Sequence, residues 1–235
     1  MSDGLLAERY DSLHRSTGFG ESPETYRWVA RLAVPPPGTR LLDIGCGSGG
    51  ALRALEGCGA GTIGIDLSRA ALGLARAAAP SAALLQGDGA RLPFPDASFE
   101  RVLNLGNLEH FADLVGGVRE MRRVLTPSGR AWVLLPNLFY SGVIWRVLRG
   151  REGPNHHQPI DRFATREGWR DWLEWGGLRV LRSLPHHKGK RWKRLLPSAL
   201  AWHFLFECAR GAPSTGNPPP APLARAEPGI ALPPL

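Results

Sequence analysis

The chemistry of this chain is concentrated at positions 41–50, Leu-Leu-Asp-Ile-Gly-Cys-Gly-Ser-Gly-Gly, where an apolar run ends in a carboxylate and gives way to alternating glycines. Glycine lets a chain turn sharply out of a strand and leaves backbone N–H groups bare for a ligand. The carboxylate of Asp43 would repel a pyrophosphate at such a turn, but it can orient a ligand that carries a cationic amino-acid end. Two further acids follow at the ends of apolar runs. Asp66 can accept from two adjacent hydroxyls with its two oxygens, and Asp88 lies in Gln-Gly-Asp-Gly-Ala at positions 86–90. Farther on, His110 closes the run Asn-Leu-Gly-Asn-Leu-Glu-His, a side chain suited to proton transfer near neutral pH.

Gly45, Gly47 and Gly50 also satisfy G-x-G-x-x-G, with Asp66 about twenty residues on, as in a nicotinamide-dinucleotide fingerprint. Three features weigh against that reading. Asp43 stands where dinucleotide folds place an apolar residue, the helix after the glycines closes early at Gly57 and Gly59, and no Tyr-x-x-x-Lys pair follows.

Taken in order, these segments resemble the class I S-adenosylmethionine-dependent methyltransferases, in their type 11-like, small-molecule and lipid-pathway branch. Positions 41–50 are similar to the family's first motif and Gly-Ile-Asp-Leu-Ser at 64–68 to its second. Gln-Gly-Asp-Gly-Ala followed by Leu-Pro-Phe-Pro-Asp-Ala-Ser-Phe is similar to the segment around the third and fourth strands. Leu-Glu-His at 108–110 and Arg-Val-Leu-Thr-Pro-Ser-Gly at 123–129 complete the likeness, which spans about residues 40–137. The sequence departs from the pattern at Glu100, where an aspartate is usual.

The resemblance implies S-adenosylmethionine as methyl donor, held by Asp43, Gly45, Cys46, Gly47, Asp66, Leu67, Asp88, Gly89 and Asn104. Asp66 would receive the ribose hydroxyls, Asp88 the adenine amine, and Asn104 the methionine end. Cys46 fills a place that needs a small side chain. His110 is the candidate base, with a pocket-shaping role as its alternative. Tyr140, Trp145, His156 and His157 are candidates to line the acceptor pocket. The paired histidines 156–157 and 186–187 do not make a metal site, because adjacent rings do not converge on one ion and no cysteine or carboxylate completes a set.

Helices and strands must hold these groups at one edge. Strand-like runs at 40–44, 62–67, 83–86, 99–105 and 130–135 alternate with helical patterns at 49–55, 69–78 and 113–125. Such alternation predicts βαβ units whose strand C-termini share one ligand-binding edge. Runs at 178–184 and 201–209 then form an antiparallel edge pair, giving an α/β, Rossmann-like, doubly wound sheet of seven strands, mostly parallel. Around it we expect an N-terminal helical cap (1–38), a donor-binding core (39–137), a variable acceptor-side segment (138–177), the strand pair (178–210) and a disordered Pro-rich tail (211–235).

The 235 residues carry a net charge of +8 with only three cysteines, Cys46, Cys58 and Cys208, which suggests a reducing, cytoplasmic setting. The first 145 residues hold fourteen basic and fourteen acidic side chains, whereas residues 146–194 hold thirteen against five. All three lysines, Lys188, Lys190 and Lys193, lie in that second segment. Such a patch attracts anions: an anionic acceptor, a membrane surface met peripherally through 186–194, or RNA. The N-terminus has neither the basic nor the apolar region of a secretion signal, and no apolar run reaches spanning length. No Asn/Asp-Pro-Pro-Tyr/Phe motif and no Pro-Cys nucleophile occur, which disfavours transfer to amide or base nitrogens and to pyrimidine carbons. The reading that follows is methyl transfer to a small-molecule or lipid- or glycan-linked acceptor, at oxygen. RNA methylation and a non-catalytic donor-binding sensor or scaffold are the alternatives.

Overall fold

A computed structural model describes residues 3–16, 20–151, 154, 158–189, 191–227 and 230, the side chains of 3, 191 and 194 excepted. Strands β1 (Arg40–Ile44), β2 (Gly61–Asp66), β3 (Ala83–Gln86), β4 (Phe99–Leu105), β5 (Leu125–Pro136), β7 (Leu178–His186) and β8 (His203–Arg210) form one sheet. Its order is β3-β2-β1-β4-β5-β8-β7, parallel through β5 and antiparallel at the last two joints. This is the expected architecture. The order reverses between β1 and β4, so the crevice for a ligand opens beyond their C-termini, beside Asp43, Ile44 and Leu105.

Burial explains why these residues form strands. Leu41, Leu42, Ile44, Val102, Leu103, Val133, Leu134 and Leu135 are all inaccessible, because helices cover both faces of the parallel region. On one face, α5 (Leu114–Val124) and α7 (Arg166–Trp175) press Met121, Val124, Trp169 and Trp172 against the sheet. On the other lie α2 (Pro23–Ala33) and the short α3 (Gly50–Ala54), with Val29, Ala33 and Leu55 buried against Leu41, Leu103 and Leu134. Ser22, Ser68, Asp113 and Thr165 cap α2, α4 (Arg69–Ala78), α5 and α7 by accepting from backbone N–H groups three residues on.

The variable segment begins with a short helix, α6 (Ser141–Val147). It starts only at 141 because the Asn137 and Leu138 N–H groups donate to the Trp202 and Ala164 carbonyls and Phe139 N–H donates to Asn137 Oδ1. Two segments differ from the expectation. A strand unforeseen in the sequence, β6 (Ile160–Phe163), follows α6. The Pro-rich tail is ordered in part: β9 (Leu223–Ala226) pairs antiparallel with β6, and Ile230 packs with Ile160 and Leu6. The indole N–H groups of Trp172 and Trp175 donate to the Pro220 and Gly216 carbonyls, so side chains on α7 fasten a segment with few large apolar residues of its own. Among the described residues no helix is long and apolar enough to cross a membrane.

Candidate active site

The loop after β1 makes the floor of the site. Gly45 and Gly47 hold φ of +68° and +51°, a region where side chains are strained, and a Cβ on Gly45 would collide with the Asn107 amide. Asp66, at the end of β2, locks this turn: one carboxylate oxygen accepts from Gly47 N and the other from Ser68 N, both at 2.8 Å. A carboxylate oxygen has room for two donors, so each retains acceptor capacity toward the cavity. Asp88 accepts from Ala90 N at 2.9 Å, and Gly89 is closed in by Phe111 and Ile44.

Beyond these groups lies a cavity of about 90 Å³. Its lower wall is Gly45, Gly47, Asp66, Leu67, Asp88 and Gly89, joined by Gly106 and Asn107 after β4. Its roof is α1 (Asp3–Ser16), which presents Leu6, Tyr10 and His14, and the start of α2, which presents Tyr26. Asp11 pins this roof, accepting from Ser68 Oγ at 2.6 Å and from Ala70 N at 3.1 Å. The residues therefore fit the donor implied by the sequence: bare glycine backbone, a carboxylate with open lone pairs at a strand end, and an apolar slot between Leu67, Gly89 and Phe111.

Not every expected donor contact lies on the wall. Asp43 sits behind it, 2% exposed, and burial first and Asp66 second push its pKa up to about 8. The Cys46 side chain packs with Leu52 and Ala79, behind the cavity wall. Asn104 is also withdrawn: its Oδ1 accepts from Leu108 N at 2.8 Å and so shapes the 3₁₀ turn Leu108–His110.

His110 reaches the cavity and is 6% exposed. Its Nδ1 faces the Ile160 carbonyl, which only an N–H can satisfy, and lies 3.3 Å from Asp161 Oδ1. The proton therefore resides on Nδ1 and the Nε2 lone pair receives the Gln158 amide. Burial lowers the imidazole to about 4 despite Asp161, so the resting ring is neutral. Burial likewise holds the Glu109 carboxyl well above its usual range, and its Oε1 lies 3.6 Å from Nε2. Arg162, 1% exposed, braces the loop by donating to the carbonyls of Glu109, Phe111 and Ala112.

Of the acceptor-pocket candidates, Tyr140 is buried against Trp202, its ring 4.2 Å away, and Trp145 is 58% exposed; neither lines the cavity. His156 and His157 lie outside the described residues. The side chains that do line the acceptor side, Leu6, Tyr10, His14, Tyr26 and Gln158, escaped sequence reading because nothing local marks them. Their one signal is the amphipathic pattern of the two N-terminal helices, which shows a buried face and not what that face covers.

The family described as a methyltransferase domain matches residues 42–133. A demethylmenaquinone methyltransferase of Thermus thermophilus is 35% identical over 151 residues, 60% of this chain and 69% of that protein. A 2-phytyl-1,4-naphtoquinone methyltransferase of Synechococcus elongatus is 33% identical over 148 residues, 59% of this chain and 64% of that one. In structure, the chain is similar to a methyltransferase solved in complex with the Haloferax volcanii Trm112 activator, with TM-score 0.63, 21% identity and coverage of 90% and 99%. It is also similar to an S-adenosylmethionine-dependent methyltransferase of Mesorhizobium loti, with TM-score 0.62, 21% identity and coverage of 80% and 100%.

Proposed function

The chain belongs to the S-adenosylmethionine-dependent methyltransferases, and from that premise we propose that its acceptor is a small, hydrophobic hydroxyaromatic molecule of the quinol type. The observation that carries the reading is the acceptor side of the cavity. Leu6, Tyr10, Tyr26 and Phe111 surround a few polar groups, His14, Gln158 and His110. A flat apolar ring bearing hydroxyls matches that lining better than a charged acceptor does. The naphthoquinone substrates in the names of the two relatives support the same class.

The donor supplies a methyl group already activated on a sulfonium. Asp66, Leu67, Asp88, Gly89 and the Gly45–Gly47 backbone would hold it, with α1 covering the cavity. The work left to the protein is alignment of the acceptor and removal of one proton. The acceptor hydroxyl would take the place of the Gln158 amide at Nε2 and pass its proton there, while Asp161 fixes the Nδ1–H tautomer and stabilises the imidazolium that forms. A resting pKa near 4 makes His110 a weak base, so proton removal accompanies attack on the methyl carbon and does not precede it. The acceptor's electron pair forms the new bond, the carbon–sulfur bond breaks, and one proton is released overall. Oxygen, favoured from the sequence, and the adjacent ring carbon of a quinol share that delocalised electron pair, and product NMR separates a methoxy from a ring-methyl product.

The test is a transfer assay with methyl-labelled S-adenosylmethionine and soluble 1,4-naphthoquinol, alongside its oxidised quinone and total RNA. Label is expected in the quinol alone, because the quinone has no hydroxyl proton to lose and is electrophilic at its ring carbons. Label in RNA, or none in the quinol, overturns the reading.

A further inference from the structure

A second surface lies beside the mouth of this cavity. Residues 139–148 expose Phe139, Ile144, Trp145, Val147 and Leu148 on or next to α6, with Leu148 73% accessible. Residues 191–195 form a short 3₁₀ segment that exposes Trp192 and Leu195, the latter 88% accessible. Single exposed apolar side chains are ordinary, whereas a cluster of this size marks a contact surface.

The two segments meet at Trp202. Its ring packs on Tyr140, the N-cap of α6, and Lys188 Nζ lies 5.8 Å from its centroid on the way into the 3₁₀ segment. Both segments are cationic. Residues 137–151 contain Arg146, Arg149 and Arg151 and no acid; residues 184–206 contain Lys188, Lys190, Arg191, Lys193 and Arg194 and again no acid. The Arg149 guanidinium lies over the Trp145 ring, 4.8 Å from its centroid. The patch is tied to the cavity rim: Lys188 pairs with Glu21 at 3.5 Å, and Thr25 Oγ1 meets His186 Nε2 at 3.1 Å. Gly20 and Tyr26, immediately beside Glu21 and Thr25, line the cavity itself.

We infer that α6 and the 186–195 segment form one docking surface for an anionic lipid bilayer, placed so that the cavity mouth opens at the membrane interface. Aliphatic and indole side chains enter the headgroup–acyl boundary and the surrounding cations meet lipid phosphates, the chemistry of an interfacial anchor. Leu148 and Leu195 have no use on a nucleic acid, which offers phosphates and base faces but no hydrocarbon. The surface also gives a reason for the apolar acceptor side, since a quinol dissolved in lipid would enter at Gly20 and Tyr26 without crossing water; this part rests on the quinol reading.

The test uses the full chain with vesicles of phosphatidylcholine alone or mixed with phosphatidylglycerol, read by co-sedimentation and tryptophan fluorescence, with no methyl donor present. Binding is expected to the anionic vesicles only, to weaken with added salt, and to fall about tenfold or more in L148E/L195E, since each change removes buried hydrocarbon and adds repulsion. Binding by the double variant equal to that of the parent chain overturns the surface. So does preference for RNA over vesicles, or dimerisation that the double variant abolishes while vesicle binding persists. Turnover of soluble 1,4-naphthoquinol is measured in the same proteins. If that fails in the parent chain the quinol reading falls alone, and if vesicle binding fails while soluble turnover stands, the docking surface falls alone.

Discussion

The two walls of the cavity are built by different means. The donor wall is local: Gly45, Gly47, Asp66 and Asp88 each lie at or just after the end of a parallel strand, and their contacts are with neighbouring backbone. The acceptor wall is assembled at long range. His110 meets Gln158 and Ile160, about fifty residues away, Glu21 meets Lys188, and α1 is pinned by Asp11 to the start of α4. A strand end can be specified by a short motif, because the sheet fixes where it points. A wall made of separated segments depends on the whole fold and leaves no compact pattern in the chain.

That contrast predicts where the molecule breaks. The largest effect should come from Arg162→Met on the acceptor side. It leaves three carbonyls without their buried donor, so stability should fall by about 3 kcal/mol or more, seen in chemical denaturation. An unchanged denaturation midpoint would mean that water replaces the guanidinium.

Next in size, His110→Ala should lower turnover roughly 100-fold while leaving donor affinity within a factor of about two, measured by kinetics and calorimetry. Because the ring stays neutral down to about pH 4, the acid limb of the rate profile should lie well below the ordinary histidine value of 6.5. The same shift sets a stability slope. The folded chain binds fewer protons at this site than the unfolded one, so its contribution is whole above about pH 6.5 and is lost as pH falls toward 4. His110→Asn should flatten stability across that window.

A smaller effect sharpens the donor side. Asp43 is held largely protonated by a pKa near 8, and a cationic donor end placed nearby would draw its pKa down. Donor binding at pH 7.5 should therefore release a fraction of a proton, measured by calorimetry in buffers of different ionisation enthalpy, and Asp43→Asn should abolish the release. Smallest of all, Gln158→Ala should alter the KM for acceptor by a few-fold and leave the donor Kd unchanged, since its amide donates to His110 Nε2.

The sheet was legible in the sequence because its strands carry short buried apolar stretches, Leu41–Leu42, Val102–Leu103 and Val133–Leu135, set apart by turn signals. So was the donor turn, where positive φ demands glycine. Cys46 and Asn104 show the limit: the motif marks their positions, yet side-chain direction follows from packing against Leu52 and from the Leu108 turn. The tail misled for a related reason. Its own composition gives no core, but the Trp172 and Trp175 indoles and the open edge of β6 supply partners that lie elsewhere in the chain.

The central claim is that the β1–β2 strand ends hold a methyl donor through Asp66. Calorimetric titration of S-adenosylhomocysteine into the parent chain and into Asp66→Ala tests it most directly, with circular dichroism to verify that both are folded. The variant should bind weaker by roughly 1–3 kcal/mol, about five- to 150-fold. Equal affinity in the two proteins would contradict it.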